Sequence, residues 1–349
     1  MIMSLVKSRK SNFELLRIVA MFMVLVLHAD FVALGVPLRD DVMSYPVLST
    51  LKVFMEALSI VAVNVFVLIS GWFGIRPSLR GIAKFLFQCL FFAIGAYVVM
   101  LICGNVELTL KGVADSLMLT GASYWFIIAY LCLYLLAPVL NVFIENVDKK
   151  THLCVLVTFF AFQTLYAFVR GTAGFLVQGY STLSFMGLYL LASYVRKHVS
   201  WTVPSKKVYL SGYLCVSLII TGVYIGSVLN NLNFISDRLF VYSNPLVVMS
   251  ALLLLLTFAR LEITSKCING IGLSCFAVYL LHCNPNIFQV YLDSIKNIVS
   301  NHTIMEYLRV IGVLFAWFLV AIAVDQLRIF VWKIISKVDI SMHKLERDA

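Results

Sequence analysis

Residues 13–36 run Phe13-Glu14-Leu15-Leu16-Arg17-Ile18-Val19-Ala20-Met21-Phe22-Met23-Val24-Leu25-Val26-Leu27-His28-Ala29-Asp30-Phe31-Val32-Ala33-Leu34-Gly35-Val36. A helix of this length rises about 1.5 Å per residue and crosses about 30 Å of hydrocarbon. The run is too long for the apolar region of a cleavable signal, which covers about 7–15 residues, and no small-residue cleavage site follows it. It is therefore read as a first membrane span.

Comparable stretches recur at 52–75, 82–103, 124–144, 151–169, 178–195, 208–229, 239–259, 267–287 and 305–332. The sixth is diluted by Gly179, Ser181, Thr182, Ser184 and Gly187, and the ninth is interrupted by Asn284 and Pro285. The longer break at 104–123 has room for a re-entrant or interfacial piece. Of the 349 residues, 62% are apolar and 13% charged, whereas soluble chains carry about 25% charged residues. The expected fold is all-α: one polytopic transmembrane bundle over 1–349 with about ten spans, multi-pass in the cell membrane, its solvent the lipid bilayer. No repeat or second domain interrupts it.

Lys and Arg give the orientation. With the N-terminus inside, 20 of the 27 fall in cytoplasmic segments, including Arg76, Arg80, Lys84, Lys149, Lys150, Arg196 and Lys197. That bias holds loop by loop and places both termini in the cytoplasm. It also accounts for the net charge of +10 without a nucleic-acid partner. The eight cysteines are scattered through apolar runs, with neither a Cys-x-x-Cys pair nor a zinc-like spacing. They are assigned no chemistry, and no metal is expected.

Ionisable groups inside spans cost about 2.5–3.5 kcal/mol each on insertion scales, so each needs a reason. The first helix holds Glu14, Arg17 and His28. Eleven residues at 100° each bring Arg17 and His28 to within about 20° of one face, about 16 Å apart along the axis. A ligand along that face would meet a fixed cation at one end and an imidazole at the other. Plainer readings stand beside this one. Ser11-x-x-Glu14 matches a capping box, Arg17 could snorkel to the headgroups, and a lone intramembrane His often bonds a neighbouring helix.

The stretch from Glu14 to His28, with ten residues between Arg17 and His28, resembles the opening helix of the integral-membrane acyltransferase 3 family. Three further blocks resemble that family in its order. They are Asn64-Val65-Phe66-Val67-Leu68-Ile69-Ser70-Gly71-Trp72-Phe73, then Tyr124-Trp125-Phe126-Ile127 with Tyr130 and Pro138, then Ser274-Cys275-Phe276-Ala277-Val278-Tyr279-Leu280-Leu281-His282. The resemblance implies a bundle of roughly ten helices that moves an acyl group, acetyl by default, from cytoplasmic acyl-CoA to a hydroxyl of a cell-surface polysaccharide or related sugar. On it, His28 corresponds to the family's essential His and Arg17 to its essential Arg. The family's paired arginines in the first cytoplasmic loop have two residues between them, whereas Arg76 and Arg80 have three between them.

This yields a set of expected roles. His28 is the general base, with a transient acyl-imidazole as the other route. Arg17, Arg76 and Arg80 hold the phosphates of the co-substrate acyl-CoA, and no bound cofactor is expected. Ser70 lies near the depth of Arg17, beside a glycine that lets a chain pass closely. Trp125, Tyr279 and His282 fall near the depth of His28 and are candidates to touch the acceptor. Trp125 could equally be an interfacial anchor, and Tyr279 and His282 structural hydrogen-bonders. Asn64, Ser70, Trp125 and Tyr279 are candidate oxyanion donors. Gln88, Gln163, Glu56 and Asp325 read as glue between helices, with Glu56 one turn from Lys52. Asn301-His302-Thr303 fits a glycosylation triplet. Other functions compatible with the pattern are a transporter or flippase of a lipid-linked sugar or amphiphile, and a non-catalytic partner of a polysaccharide assembly machine.

Overall fold

The first span is a helix, α1 (Ser11–Leu27), that passes without a break into a π-helical turn, His28–Ala33. The structure is a computed structural model describing residues 10–118, 124–170, 176–300 and 303–348. The helices that follow are α2 (Arg39–Ser44), α3 (Pro46–Ser59), α4 (Ala62–Phe73), α5 (Leu79–Ile102), α6 (Leu110–Ser116), α7 (Trp125–Asn146), α8 (Lys149–Arg170) and α9 (Thr182–His198). Then come α10 (Lys206–Leu229), α11 (Asn233–Leu239), α12 (Pro245–Ala259), α13 (Lys266–Ser274), α14 (Phe276–His282), α15 (Phe288–Lys296) and α16 (Ile304–Asp348). No strand occurs among the described residues.

Among the described residues, six helical stretches are long and apolar enough to cross a membrane: Ser11–Ala33, Pro46–Phe73, Leu79–Ile102, Trp125–Asn146, Lys206–Leu229 and Ile304–Ser336. The other four expected spans coincide with helices that are shorter or more polar. α12 has 15 residues, and the ninth stretch is broken into α13 and α14. Buried serines explain why α9 reads as weakly apolar. Ser184 and Ser193 face protein, and the Ser184 hydroxyl donates to Gln163 Oε1 at 2.8 Å, as expected of interhelical glue. The short α6 lies in the long break at 104–123, of which 119–123 fall outside the described residues, as do Asn301 and His302 of the glycosylation triplet.

Local signals set most boundaries. Ser78, Ser181, Asn244 and Ser265 cap α5, α9, α12 and α13, each side chain accepting from a backbone N–H two or three residues on. Gly74, at φ +77°, ends α4 in a conformation that suits glycine. The expected capping box at Ser11 is not formed. Lys10 is the N-cap, Ser11 is already helical and its Oγ accepts from the Ser265 N–H at 3.0 Å, and Glu14 pairs with Arg17. The start of α1 is packed against α12 and α13, so its polar side chains turn to those neighbours.

α1 sits inside the bundle, touching α3, α4, α12, α13, α14 and α16. The stretch α3–α4 is the most enclosed, with 72% of its apolar window buried against 22% for α16, which places α4 at the centre and α16 at the rim. Gly71 permits the tight α4–α9 crossing, since a Cβ there would run into the Tyr189 backbone. The segments assigned to one side by charge meet at one end of the bundle. Asn12 bonds the Phe258 carbonyl, Ser11 meets Ser265, and Asn141 bonds Ile75. At the opposite end Tyr224 bonds the Pro37 carbonyl and Ser243 meets Gln178.

Candidate active site

At the first of these ends lies a cavity of about 830 Å³. Four cations line it, Lys10, Arg17, Arg76 and Arg196, together with Ser70, Gln88 and Tyr130. Arg17 does not reach away from the protein. Its guanidinium pairs with buried Glu14 one turn earlier, which holds it on the cavity wall. Arg76 is exposed but sits on a fixed loop. The Ile75 N–H donates to Tyr189 Oη at 2.8 Å, and its carbonyl accepts from Asn141 Nδ2 at 2.8 Å. Arg196 donates to the Trp72 carbonyl and lies 5.9 Å from the Phe73 ring. Ser70 Oγ lies 3.0 Å from the Phe66 carbonyl and 3.0 Å from Tyr130 Oη. Arg80 is exposed and lines neither this cavity nor the next.

A second cavity, about 260 Å³, contains His28 and is walled by Trp125, Tyr180, Tyr242, Tyr279 and Cys283. Phe66, Phe126 and Phe276 line both cavities, so an aromatic layer one side chain thick is what separates them. Trp125 packs inside this chamber, its ring 4.5 Å from Tyr180 and 6.0 Å from Tyr242. The Asn64 amide donates to the Tyr242 carbonyl at 2.9 Å, so it braces the chamber wall.

The two histidines meet. His28 Nδ1 lies 2.9 Å from His282 Nε2, and His282 Nδ1 faces the Val278 carbonyl. A carbonyl only accepts, so His282 carries its proton on Nδ1 and, as a neutral ring, presents a lone pair at Nε2. His28 Nδ1 must then donate, which leaves the His28 lone pair on Nε2, a nitrogen with no hydrogen-bond partner among the described residues. One chain of bonds thus fixes the tautomer of both rings. The π-helical turn begins at His28, and Tyr291 secures it by donating to the Leu25 carbonyl at 2.6 Å while packing 5.1 Å from the His282 ring. π-helical turns often mark functional positions because the widened turn redirects side chains.

Of the residues singled out in the sequence, His28, Trp125 and Tyr279 line one chamber, with buried His282 bonded to His28 behind its wall, and Arg17, Arg76 and Ser70 line the other. Sequence reasoning missed Arg196, which had been absorbed into the charge bias, and Tyr180 and Tyr242, which come from loops. It also dismissed Cys283, whose sulfur lies 3.2 Å from His282 Nε2. Lys52 turns from Glu56 to the Leu34 and Gly35 carbonyls and lies 3.9 Å from Asp30 Oδ1, satisfying the end of the π-turn. Gln88 and Asp325 do act as glue: Gln88 Nε2 donates to Asp325 Oδ1 at 3.0 Å, and Arg328 pairs with the same carboxylate at 2.7 Å.

The four sequence blocks converge on this two-chamber arrangement, each contributing residues to the walls of both cavities. No curated protein and no solved structure matches the chain. The model of the acyltransferase domain does match, over residues 10–325, and the chain belongs to the acyltransferase 3 family.

Proposed function

We propose that this protein is an O-acyltransferase of the cell membrane, with about ten spans and both termini in the cytoplasm, that moves an acyl group, acetyl by default, from cytoplasmic acyl-CoA to a hydroxyl of a cell-surface sugar. The observation that carries this reading is that only the shared rings of Phe66, Phe126 and Phe276 divide the cation-lined cavity from the His28 chamber. CoA is a multiply charged phosphate ligand on a thin pantetheine arm. Lys10, Arg17, Arg76 and Arg196 supply the charge to hold its phosphates, the arginines in planar forks that suit them. The arm then has only the aromatic layer to pass before its thioester reaches His28.

In the chamber, His28 Nε2 takes the proton of the acceptor hydroxyl as its oxygen attacks the thioester carbonyl. The tetrahedral adduct collapses with cleavage of the carbon–sulfur bond. The imidazolium returns the proton to the leaving thiolate, giving ester and free CoA. His282 does not touch substrate in this scheme. It holds the His28 tautomer and stabilises the transient imidazolium through the shared hydrogen bond. The flat faces of Trp125, Tyr180 and Tyr242 suit the carbon–hydrogen face of a sugar ring.

The test is transfer from isotopically labelled acetyl-CoA by the purified protein, read by mass spectrometry on a panel of oligosaccharide acceptors and on water. Acetyl transfer or acetyl-CoA hydrolysis above the rate of a His28→Ala control is the expected result. Movement of a lipid-linked sugar across vesicles with no consumption of thioester would replace this reading with a transporter.

A further inference from the structure

Cys283 has no part in the transfer just described, yet its sulfur is placed as if for a purpose. It lies 3.2 Å from His282 Nε2 and 3.6 Å from His28 Nδ1, and the two nitrogens are 2.9 Å apart. Those three atoms form one triangular face, all within 4.8 Å of one another. A tetrahedral zinc ion with ordinary bond lengths holds two nitrogens about 3.3 Å apart and a nitrogen and a sulfur about 3.6 Å apart. Every edge of the observed triangle is within about half an ångström of those spacings.

Two further features point the same way. The second nitrogen of His282 is held by the Val278 carbonyl, the kind of outer partner that orients metal-binding histidines. His28 and Cys283 both face the 260 Å³ cavity, so there is room on the open side of the triangle for water or hydroxide as a fourth ligand. His282 and Cys283 are neighbours in sequence at the end of α14, where Cys283 is the C-cap and its N–H still bonds the Tyr279 carbonyl. Two imidazoles and a thiol are borderline-soft donors that favour Zn²⁺ over Mg²⁺ or Ca²⁺.

We propose that His28, His282 and Cys283 bind Zn²⁺ or a similarly soft divalent cation, and that the bound ion switches the transfer off. Binding converts the Cys283 thiol to a thiolate and releases one proton. It also takes the Nδ1 lone pair of His28, so the neutral ring must carry its single proton on Nε2. That is the opposite tautomer to the one fixed by the His282 hydrogen bond, and it leaves Nε2 with nothing to accept a proton. Metal binding and the catalytic hydrogen bond exclude one another. The switching clause rests on the function proposed above, whereas the binding clause does not.

The experiment titrates the purified, chelator-treated protein in detergent with Co²⁺ and reads absorption, which needs no turnover. One equivalent should give the intense visible bands of a tetrahedral ion with a thiolate-to-cobalt band, both displaced by Zn²⁺. Cys283→Ser should lose the thiolate band and His282→Gln should lose the tetrahedral spectrum. In the unaltered protein, Zn²⁺ should protect Cys283 from alkylation, mapped by mass spectrometry, which guards against variants that fail to fold. A thiolate band that survives in Cys283→Ser, or alkylation of Cys283 at the same rate with and without Zn²⁺, would overturn the site. Turnover of the unaltered protein should fall by about 10²-fold or more at saturating Zn²⁺, as for loss of a general base, and return with chelator. Saturable binding with unchanged turnover would overturn the switch alone. Binding in a protein that turns over no thioester under any condition would leave the site standing and remove the enzymatic reading.

Discussion

A single proton position decides what His28 can do. Because His282 accepts from His28 Nδ1, the basic lone pair points to the side where substrate would lie. His28→Ala is therefore expected to lower transfer by about 10²–10⁴-fold, with an unchanged elution profile and unfolding temperature. His282→Phe keeps the bulk but loses both the acceptor for His28 Nδ1 and the donor to the Val278 carbonyl, so kcat should fall by about 10–100-fold, with KM for acyl-CoA little changed. A fall in expression with normal kcat would make His282 a packing residue. Arg17 tests the other chamber. Lys keeps the charge but loses the fork, so Arg17→Lys should bind acyl-CoA more weakly and Arg17→Ala more weakly still, read by calorimetry. Equal affinity in all three would leave Arg17 as the partner of Glu14 and nothing more. His28 and Arg17 were legible because charges are rare in apolar sequence and their spacing put them on one face. Cys283 was not, since a thiol in an apolar run looks like any small side chain until the packing of α14 against α1 brings it to the histidines.

At the scale of elements, the helices were readable because lipid demands long apolar runs with satisfied backbones. The places where reading failed are those where protein rather than lipid surrounds the helix. Ser11 looked like a cap and is instead a contact to α13, and α9 looked weak because its serines face other helices. The π-turn at His28 leaves no mark that periodicity could detect, and Tyr291, which secures it, is 263 residues away in the chain. Gly71 was expected to let a chain pass, and the chain is the Tyr189 backbone of α9. Gly71→Ala is thus expected to cost about 1–3 kcal/mol through overpacking, measured as a lower unfolding temperature in detergent. Because Tyr189 also holds the Ile75 N–H, the same variant should weaken acyl-CoA binding through Arg76. An unfolding temperature equal to that of the unaltered protein would show that α4 and α9 are free to move apart.

For the whole molecule, the proposed chemistry requires that the two cavities face different compartments. The charge count and the packing agree on which residues share an end, although neither uses the other. Arg76 from the loop after α4, Glu145 from the end of α7, and Arg196 and Lys197 from the end of α9 line a further cavity at the end where Ser11 meets Ser265. Such a bundle should present Lys150 to the cytoplasm and Asp40 to the outside, both exposed and neither lining the cavities described above. In a cysteine-free background, Asp40→Cys should react with an impermeant thiol reagent in intact cells, and Lys150→Cys only after permeabilisation. Cys283 is absent in that background, so transfer must be measured in the unaltered protein. Sealed inverted vesicles, with the cation-lined cavity outermost, should use added acyl-CoA to acylate an acceptor trapped in the lumen. Right-side-out vesicles should do so only when acyl-CoA is loaded inside. If Lys150→Cys labels in intact cells, the bundle is inverted and its cations face a compartment without acyl-CoA. The aromatic layer adds one more condition, because a thioester must cross it without opening a path for ions. Phe126→Ala thins the layer between the two chambers by removing one of the three rings they share. It should raise proton leak through vesicles containing the protein while leaving acyl-CoA affinity intact, and a leak no greater than in the unaltered protein would mean that another barrier separates the two sides.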